Sequence, residues 1–183
     1  MKLVRFGAPG REKPGMLDAQ GRVRDLSKVV PDIAGPALSP SGLTKLRKLK
    51  PEKLPLVRGT QRLGPCVGGV GNFIAIGLNY SDHAAEAGMP IPKEPIIFNK
   101  APSSICGPDD NTMIPKGSTK LDWEIELGII IGQHARYVSK DSLPGQAEKV
   151  YTEMTGQKFP AAQRSADASR IQHAHAHCAV LRA

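Results

Sequence analysis

The stretch that decides the fold is residues 121–132, which read LDWEIELGIIIG. Its acids, Asp122, Glu124 and Glu126, occupy every second position and alternate with apolar residues. Because successive side chains of a β-strand point to opposite faces, a strand here would place the three acids on one face. At a rise of roughly 3.3 Å per residue, Glu124 and Glu126 lie roughly 6.6 Å apart along the strand. Carboxylates at that spacing can converge on one hard cation if the strand bends, and oxygen ligands favour magnesium, manganese or calcium over zinc.

A solvated acidic strand face is the simpler interpretation of the same spacing. The isoleucines at 129–131 favour the alternative, because an apolar run predicts burial on both faces of a sheet. The acids would then lie where the sheet enters the interior, and buried acids need a partner. Both interpretations stay open on this stretch alone.

The length and composition of the chain indicate one hydrophobic core made mainly of aliphatic side chains. The 183 residues are 40% hydrophobic and only 4% aromatic, enough for one domain or for one domain with a small appendage. No segment has the length of a membrane span and the N-terminus lacks an apolar signal region, so we expect a cytoplasmic protein without a membrane partner. Cys66, Cys106 and Cys178 are odd in number and lack CxxC spacing, which indicates neither a disulfide framework nor a zinc finger.

The net charge of +8 is confined to the first part of the chain. Residues 1–70 hold 14 Lys and Arg against 5 Asp and Glu, whereas residues 71–183 hold 11 against 12. No aromatic residue is interleaved in the basic cluster at 45–53, so base stacking has no platform there. The pattern favours a solvated basic surface over a nucleic-acid binder, and no nucleic-acid partner is predicted.

The order of elements predicts a small β-rich N-terminal domain over residues 1–66 and a second domain over 67–141. The first includes a hairpin around residues 18–21 and a short helix over 41–49, and the second begins with an apolar strand at 73–77. A helix capped by Ser81 and stopped by Gly88 should follow that strand.

On this helix His83 and Glu86 are three residues apart and therefore share a face. A carboxylate beside an imidazole raises its basicity, which suits a water-activating base, although an exposed ion pair is the more common role of such a pair. The next apolar strand, residues 96–100, ends at Lys100, which could bind an anionic substrate or simply close the strand.

These segments, taken in order, resemble the fumarylacetoacetate hydrolase family. The resemblance covers roughly residues 70–140 and consists of several ordered motifs, which together are far more specific than any one of them. The motifs are GLNYSDHAAE at 77–86, PIIFNKAPSS at 95–104, GPD at 107–109, Pro115 and DWEIELGIIIG at 122–132.

The resemblance implies a mostly β fold with short helices (α+β), a mixed β-roll, and a homodimer that uses Mg²⁺ or Mn²⁺. It assigns metal binding to Glu124 and Glu126 and acid/base chemistry to His83 and Glu86. Substrate binding is assigned to Asn79, Tyr80 and Lys100. The substrates it implies are 2-oxo acids or their enols, and the reactions are acylpyruvate hydrolysis, decarboxylation, lyase chemistry and dienedioate isomerisation in aromatic catabolism.

The resemblance stops after Ser142, where the family continues into a segment that carries an aspartate as third metal ligand. Residues 142–183 are instead predicted to be a divergent, disordered tail, and the chain is expected to be truncated and impaired in activity. Alternating histidines at 173, 175 and 177 could take up zinc, nickel or copper, although an adventitious tail is the preferred interpretation. The alternative functions are a non-catalytic truncated product or partner-binding fragment and, less favoured, a basic nucleic-acid binder.

Overall fold

A computed structural model of the chain describes residues 1–121, 126, 128–132, 134, 136 and 137. These residues belong to two compact units. The first contains Met1–Asn72 and the described residues from 101 to 132, and the second contains Phe73–Lys100 and the described residues from 134 to 137. The domain boundaries expected from the sequence, at 66/67 and 141/142, stay predictions.

The first unit is built on a three-stranded antiparallel sheet. Its strands are β1 (Lys2–Phe6), β2 (Lys13–Leu17) and β3 (Val23–Asp25), with β2 in the centre. The predicted hairpin between β2 and β3 is confirmed: the N–H of Gly21 donates to the carbonyl of Asp18 at 3.0 Å, and Gly21 adopts a φ of +74°. A left-handed conformation at this turn is available to glycine at no steric cost.

A two-turn helix, α1 (Pro40–Arg47), follows the sheet and confirms the short helix predicted at 41–49. Its start is set by Ser39, whose Oγ accepts a hydrogen bond from the N–H of Gly42 at 3.1 Å, and by a proline in the first helical turn. The other helical segments among the described residues of this unit are single 3-10 turns at Gly35–Leu38, Pro51–Lys53 and Pro102–Ser104.

The aliphatic core of the first unit lies between the sheet and α1. Its buried centre consists of Met16, Leu26, Ile33 and Leu46, each at most 2% exposed. A shell of partly buried side chains surrounds this centre: Leu3, Val30, Leu38, Leu49, Leu54 and Val67. Leu46 of α1 and Leu49 of the following loop thus pack against the core side chains of the sheet, and such packing stabilises a short helix in water.

Asp18 closes the β2–β3 hairpin with a network of charged hydrogen bonds. Its carboxylate accepts from the side chains of Arg22 and Arg24, each at 2.9 Å, and from the backbone N–H groups of Gln20 and Arg22. Burial of the carboxylate raises its pKa, but the hydrogen bonds lower the pKa by more than burial raises it. The net effect brings the pKa of Asp18 down to about 2.

This pKa predicts a pH-dependent contribution of Asp18 to stability. Because the folded-state pKa is about 2 and the ordinary value is 3.8, the contribution is present above pH 3.8 and is lost as the pH falls toward 2. Asp18→Asn should therefore lower the urea midpoint at pH 6 and have a shrinking effect between pH 4 and pH 2. A midpoint difference that stays constant over that interval would contradict the prediction.

In its described residues the second unit contains a two-stranded antiparallel sheet and one short helix. Strands β4 (Phe73–Gly77) and β5 (Ile96–Lys100) pair along their full lengths, and α2 (Ser81–Glu86) follows β4. Both strands lie where the sequence predicts them. The helices in the described part of the chain all lack the length and apolar character that a membrane span requires.

The predicted fold class, mostly β with short helices, is confirmed, and the small separate sheets fit an incomplete β-roll. The acidic strand predicted at 121–132 falls largely outside the described residues, since 122–125 and 127 are not among them. The predicted burial of the isoleucines at 129–131 is wrong: all three are more than half exposed. Burial on two faces requires neighbouring strands, and residues 128–132 belong to no strand of the described sheets.

Candidate functional site

The connection from β4 to α2 carries most of the residues predicted to bind and react. The chain leaves Gly77 through Leu78, which adopts a φ of +47°, and enters α2 three residues later, at Ser81. A left-handed conformation costs a leucine roughly 1–2 kcal/mol, so the surrounding structure must hold this turn in place. The turn brings Asn79 to an exposed position and leaves Tyr80 partly buried.

The ends of α2 correct one prediction and confirm another. Ser81 does not cap the helix; Tyr80 is the N-cap, because the N–H of Ala84 already donates to the carbonyl of Tyr80 at 3.1 Å. Gly88 ends the helix as predicted, with a φ of +63°. The N–H of Met89 donates to the carbonyl of Ala84 and that of Gly88 to the carbonyl of Ala85, which is the Schellman arrangement.

His83 and Glu86 lie on this six-residue helix, and both are exposed. Within the described residues no hydrogen bond or ion pair joins their side chains, while the backbone N–H of His83 donates to Oδ1 of Asp82 at 2.9 Å. An exposed imidazole can exchange a proton with a molecule that docks against the helix. For Glu86 to raise its basicity, the two side chains must approach each other on the face they share.

The strand register separates Lys100 from the other predicted substrate-binding residues. Lys100 pairs with Phe73 at the start of β4, and its Nζ lies 5.8 Å from the centre of the Phe73 ring. Asn79 and Tyr80 follow Gly77, at the opposite end of the same strand. Four residue steps at about 3.3 Å place these two ends of β4 roughly 13 Å apart. The structure therefore brings Asn79 and Tyr80 together and places the backbone of Lys100 at the far end of the sheet.

Of the predicted metal ligands, Glu126 is described and Glu124 lies outside the described residues. Glu126 is partly buried and already interacts with another group. Its carboxylate has the chemistry of a hard-cation ligand. In the described part of the chain, no three His, Cys, Asp or Glu side chains come close enough together to hold an ion. The structure thus places one carboxylate of the predicted pair, that of Glu126, and does not show the geometry of a complete metal site.

The motif at 107–109 is held in the first unit by an ion-pair network. Arg62 donates from Nε to Oδ1 of Asp110 at 2.6 Å and from Nη1 to Oε1 of Glu12 at 3.0 Å. The Asp110 carboxylate in turn accepts from the N–H of Gly107 at 2.7 Å. The hydrogen bonds from Arg62 and then Gly107 lower the pKa of Asp110, so this carboxylate is ionised at neutral pH.

Sequence reasoning missed both Arg62 and Leu78. Arg62 and Asp110 are 48 residues apart, and no local pattern marks them as partners. At the β4–α2 turn Leu78 adopts the positive φ, although Gly77 and Asn79 on either side of it both tolerate a positive φ better than leucine does. The short spacing between the strand and the helix predicts a sharp turn, but it does not identify the residue that adopts the positive φ.

Gly107 should not tolerate a side chain. It is buried, and a Cβ at this position would collide with the carbonyl oxygen of Leu63, a backbone atom that cannot rotate away. We expect Gly107→Ala to destabilise the first unit by about 1–3 kcal/mol, the usual cost of overpacking, measured by urea denaturation.

The matched control for this substitution is Gly71→Ala. Gly71 is exposed and does not have a positive φ, and a Cβ added to it would meet no atom within 4 Å. Its replacement should change the stability by less than about 0.5 kcal/mol. Equal effects of the two alanines would show that the approach of Gly107 to Leu63 has no energetic importance.

Comparison with known proteins identifies the class to which this arrangement belongs. Residues 72–150 match the family described as "Fumarylacetoacetate (FAA) hydrolase C-terminal". This matched segment includes the β4–α2 connection, β5 and both predicted metal-binding glutamates. The segment therefore matches the fumarylacetoacetate hydrolase family, as the ordered motifs predict.

Particular relatives come from Burkholderia. Proteins named "Putative hydrolase" from Burkholderia multivorans and from Burkholderia ambifaria are each 64% identical to this chain over 140 residues. The match covers 76% of this chain and 50% of each relative. The chain thus spans about half the length of the curated relatives it matches.

Two solved structures show a weaker likeness. One is described as a putative HpcE protein from Mycobacterium smegmatis, with 26% identity, a TM-score of 0.44 and coverage of 62% of this chain and 41% of that one. The other is a fumarylacetoacetate hydrolase from Exiguobacterium antarcticum, with 28% identity, a TM-score of 0.38 and coverage of 58% and 37%. The family assignment rests on the sequence matches and not on these two superpositions.

Proposed function

We propose that this chain carries the catalytic residues of a divalent-metal-dependent hydrolase that cleaves acylpyruvates or related 2-oxo acids. The observation that supports this most is the family match over residues 72–150 together with the solvent-accessible imidazole of His83 on a helix directly after β4. Isomerisation of dienedioates is the second reaction type, because it needs the same enolate and the same proton carrier. A homodimer belongs to the proposal through the family resemblance alone, and a cytoplasmic location through the expectation from the sequence.

Glu124 and Glu126 are the residues that would hold the ion, Mg²⁺ or Mn²⁺, with further ligands from substrate and water. A bound ion would supply electrostatic stabilisation of the negative charge that develops on the substrate's 2-oxo oxygen. Carboxylate oxygens suit these two ions better than softer metals. Two protein carboxylates form a sparse ligand set for a hard cation, so weak binding is expected.

His83 would take a proton from water as the water oxygen bonds to the acyl carbonyl carbon. Cleavage of the adjacent C–C bond sends its electron pair into the pyruvate enolate, and the proton held by His83 returns to the enolate carbon. Glu86 would orient the imidazole and favour its protonated form during this step. Asn79, which is exposed, and Tyr80, which is partly buried, would position the substrate beside α2. Lys100 would attract the anionic end of the substrate.

Thermal unfolding with MgCl₂ and oxalate tests the metal site, because oxalate imitates the enolate of pyruvate. Ligands that bind the folded state raise its stability, by about 2.7 kcal/mol at a hundredfold excess over Kd. We expect the unfolding temperature to rise with both additives together, and the rise to be lost in Glu126→Gln. Glu94→Gln, at an exposed loop position, is the matched control and should keep the rise.

Absence of any Mg²⁺–oxalate shift in the wild-type chain would contradict the metal-binding part of the proposal. A non-catalytic role is the alternative, and the lack of a bond between His83 and Glu86 in the described residues favours it. Mg²⁺–oxalate binding without acylpyruvate cleavage would decide for that alternative. Cleavage that depends on Mg²⁺ would decide for the enzyme.

A further inference from the structure

A bidentate ion pair attaches the chain to the N-terminal residues shortly before the acidic stretch, residues 121–132. Asp110 precedes this stretch, and Arg62 donates to its carboxylate from Nε to Oδ1 at 2.6 Å and from Nη2 to Oδ2 at 2.5 Å. A planar guanidinium that binds both oxygens of a carboxylate fixes the orientation of the pair as well as its distance. The Arg62–Asp110 pair is therefore an anchor with a defined geometry.

Arg62 is itself held in place by the first unit. Its Nη1 donates to the carbonyl of Gly7 at 2.9 Å and to Oε1 of Glu12 at 3.0 Å, and its own carbonyl accepts from the N–H of Gly7 at 3.0 Å. The Glu12 side chain is 5% exposed, and its Oε2 lies 3.7 Å from Nη2 of Arg5 in β1. These contacts attach the guanidinium to the edge of the three-stranded sheet, so Asp110 is held against a fixed point.

The end of the acidic stretch contacts the same unit. A Cβ on Gly132 would lie 2.5 Å from the carbonyl oxygen of Leu38 and 4.0 Å from Cα of Ser39. The backbone of residue 132 therefore lies directly against the segment that enters α1. The chain is thus attached to the N-terminal residues both before and after Glu126, which is partly buried.

Both contacts cross the boundary of the family match. The match begins at residue 72, so Arg62 and Leu38 lie outside the matched segment, whereas Asp110 and Gly132 lie within it. Metal ligands lose less conformational entropy on binding an ion when the chain that carries them is already held in place. We propose that the N-terminal residues position the metal-binding stretch, with Arg62, acting through Asp110, as the positioning residue. This inference rests on the proposed function, because it takes Glu126 to be a metal ligand.

Proteolysis tests the attachment without metal. Lys116 and Lys120 lie between the two attachment points and are exposed, so trypsin can cut there when the chain opens locally. Asp110→Asn presents an N–H₂ group to Arg62 in place of one oxygen. We expect cleavage at the two lysines to accelerate about tenfold, the factor that corresponds to loss of a hydrogen bond between charged groups.

Binding of Mn²⁺, followed by the EPR signal of the free ion, tests the effect on the metal site. We expect the Kd to rise about tenfold in Asp110→Asn and in Arg62→Lys, the lower end of the effect of residues that orient metal ligands. Lysine keeps the charge but cannot bind both carboxylate oxygens in a planar fork. The double variant should bind no more weakly than either single variant, because both changes act through one pair. Circular dichroism at the assay temperature shows whether each variant is folded.

Asp18→Asn is the matched control. Asp18 is also a carboxylate held by arginines, but its partners lie at residues 20–24 of its own hairpin. The control should lower the stability of the chain and leave the Kd for Mn²⁺ and the cleavage at Lys116 and Lys120 unchanged. An equal rise of the Kd in the control would assign the effect to lost stability and would overturn the inference.

The two arms also separate this inference from the proposed function. Equally tight Mn²⁺ binding by the wild-type chain and by both variants, or unchanged cleavage between the attachment points, would overturn the positioning role of Arg62 and leave the proposed function in place. A wild-type chain that binds no Mn²⁺, or that binds it as tightly after Glu126→Gln, would overturn the proposed metal site and this inference with it.

Discussion

Replacement of His83 by asparagine is expected to lower the kcat of the proposed Mg²⁺-dependent acylpyruvate cleavage by about 10²–10⁴-fold, the usual contribution of a positioned acid/base group. Asparagine keeps a polar side chain but cannot accept and return a proton. The KM should change little, because the substrate is held by the ion and by other residues. The measurement is a steady-state assay at saturating Mg²⁺.

The fold should survive this change, since the His83 side chain is exposed and makes no hydrogen bond or ion pair within the described residues. An unchanged unfolding temperature separates a catalytic effect from a structural one. His134→Asn is the matched control, because His134 is also exposed and has no assigned role. Equal rates for His83→Asn and the wild-type chain would remove His83 from the mechanism.

Leu46→Ala is expected to have the largest effect on stability. Leu46 is 1% exposed and connects α1 to the core formed with Met16, Leu26 and Ile33. Removing a buried leucine loses its transfer free energy and leaves a cavity, at a cost of about 2–5 kcal/mol. Because whole domains are stable by only about 5–15 kcal/mol, the urea midpoint should fall sharply.

Lys45→Ala provides the comparison within the same helix. Lys45 is exposed, and alanine is a slightly better helix former, so the free energy of unfolding should change by less than about 0.5 kcal/mol. A Leu46→Ala loss no larger than that of Lys45→Ala would show that α1 does not contribute to the core as its burial indicates.

Short-range signals in the sequence identify the elements that carry the candidate site. The apolar runs at 73–77 and 96–100 are strands, and Gly88 ends α2 with the predicted left-handed residue. These succeed because strand alternation and helix stops depend on neighbouring residues only. The N-cap of α2 is displaced by one residue, a boundary that depends on which carbonyl the first helical N–H reaches.

The burial of individual segments could not be predicted from the sequence. The isoleucines at 129–131 look like a buried strand, yet they are exposed, because burial depends on what packs against a segment and not on the segment itself. The position of Lys100 likewise depends on residues distant in the sequence, although Lys100 is close in sequence to the other family motifs. The register of β4 and β5, a pairing between distant residues, places it at the far end of the sheet from Asn79.

The sequence by itself determined the order of strands and turns, the family motifs and the residues that chemistry would use, since each is written in adjacent side chains. Only the tertiary structure decided that Arg62 holds Asp110 across 48 residues and that Leu78 makes the turn before α2. The physical reason is that hydrogen bonds, close contacts and solvent exposure between distant residues arise only once the backbone has brought those residues together.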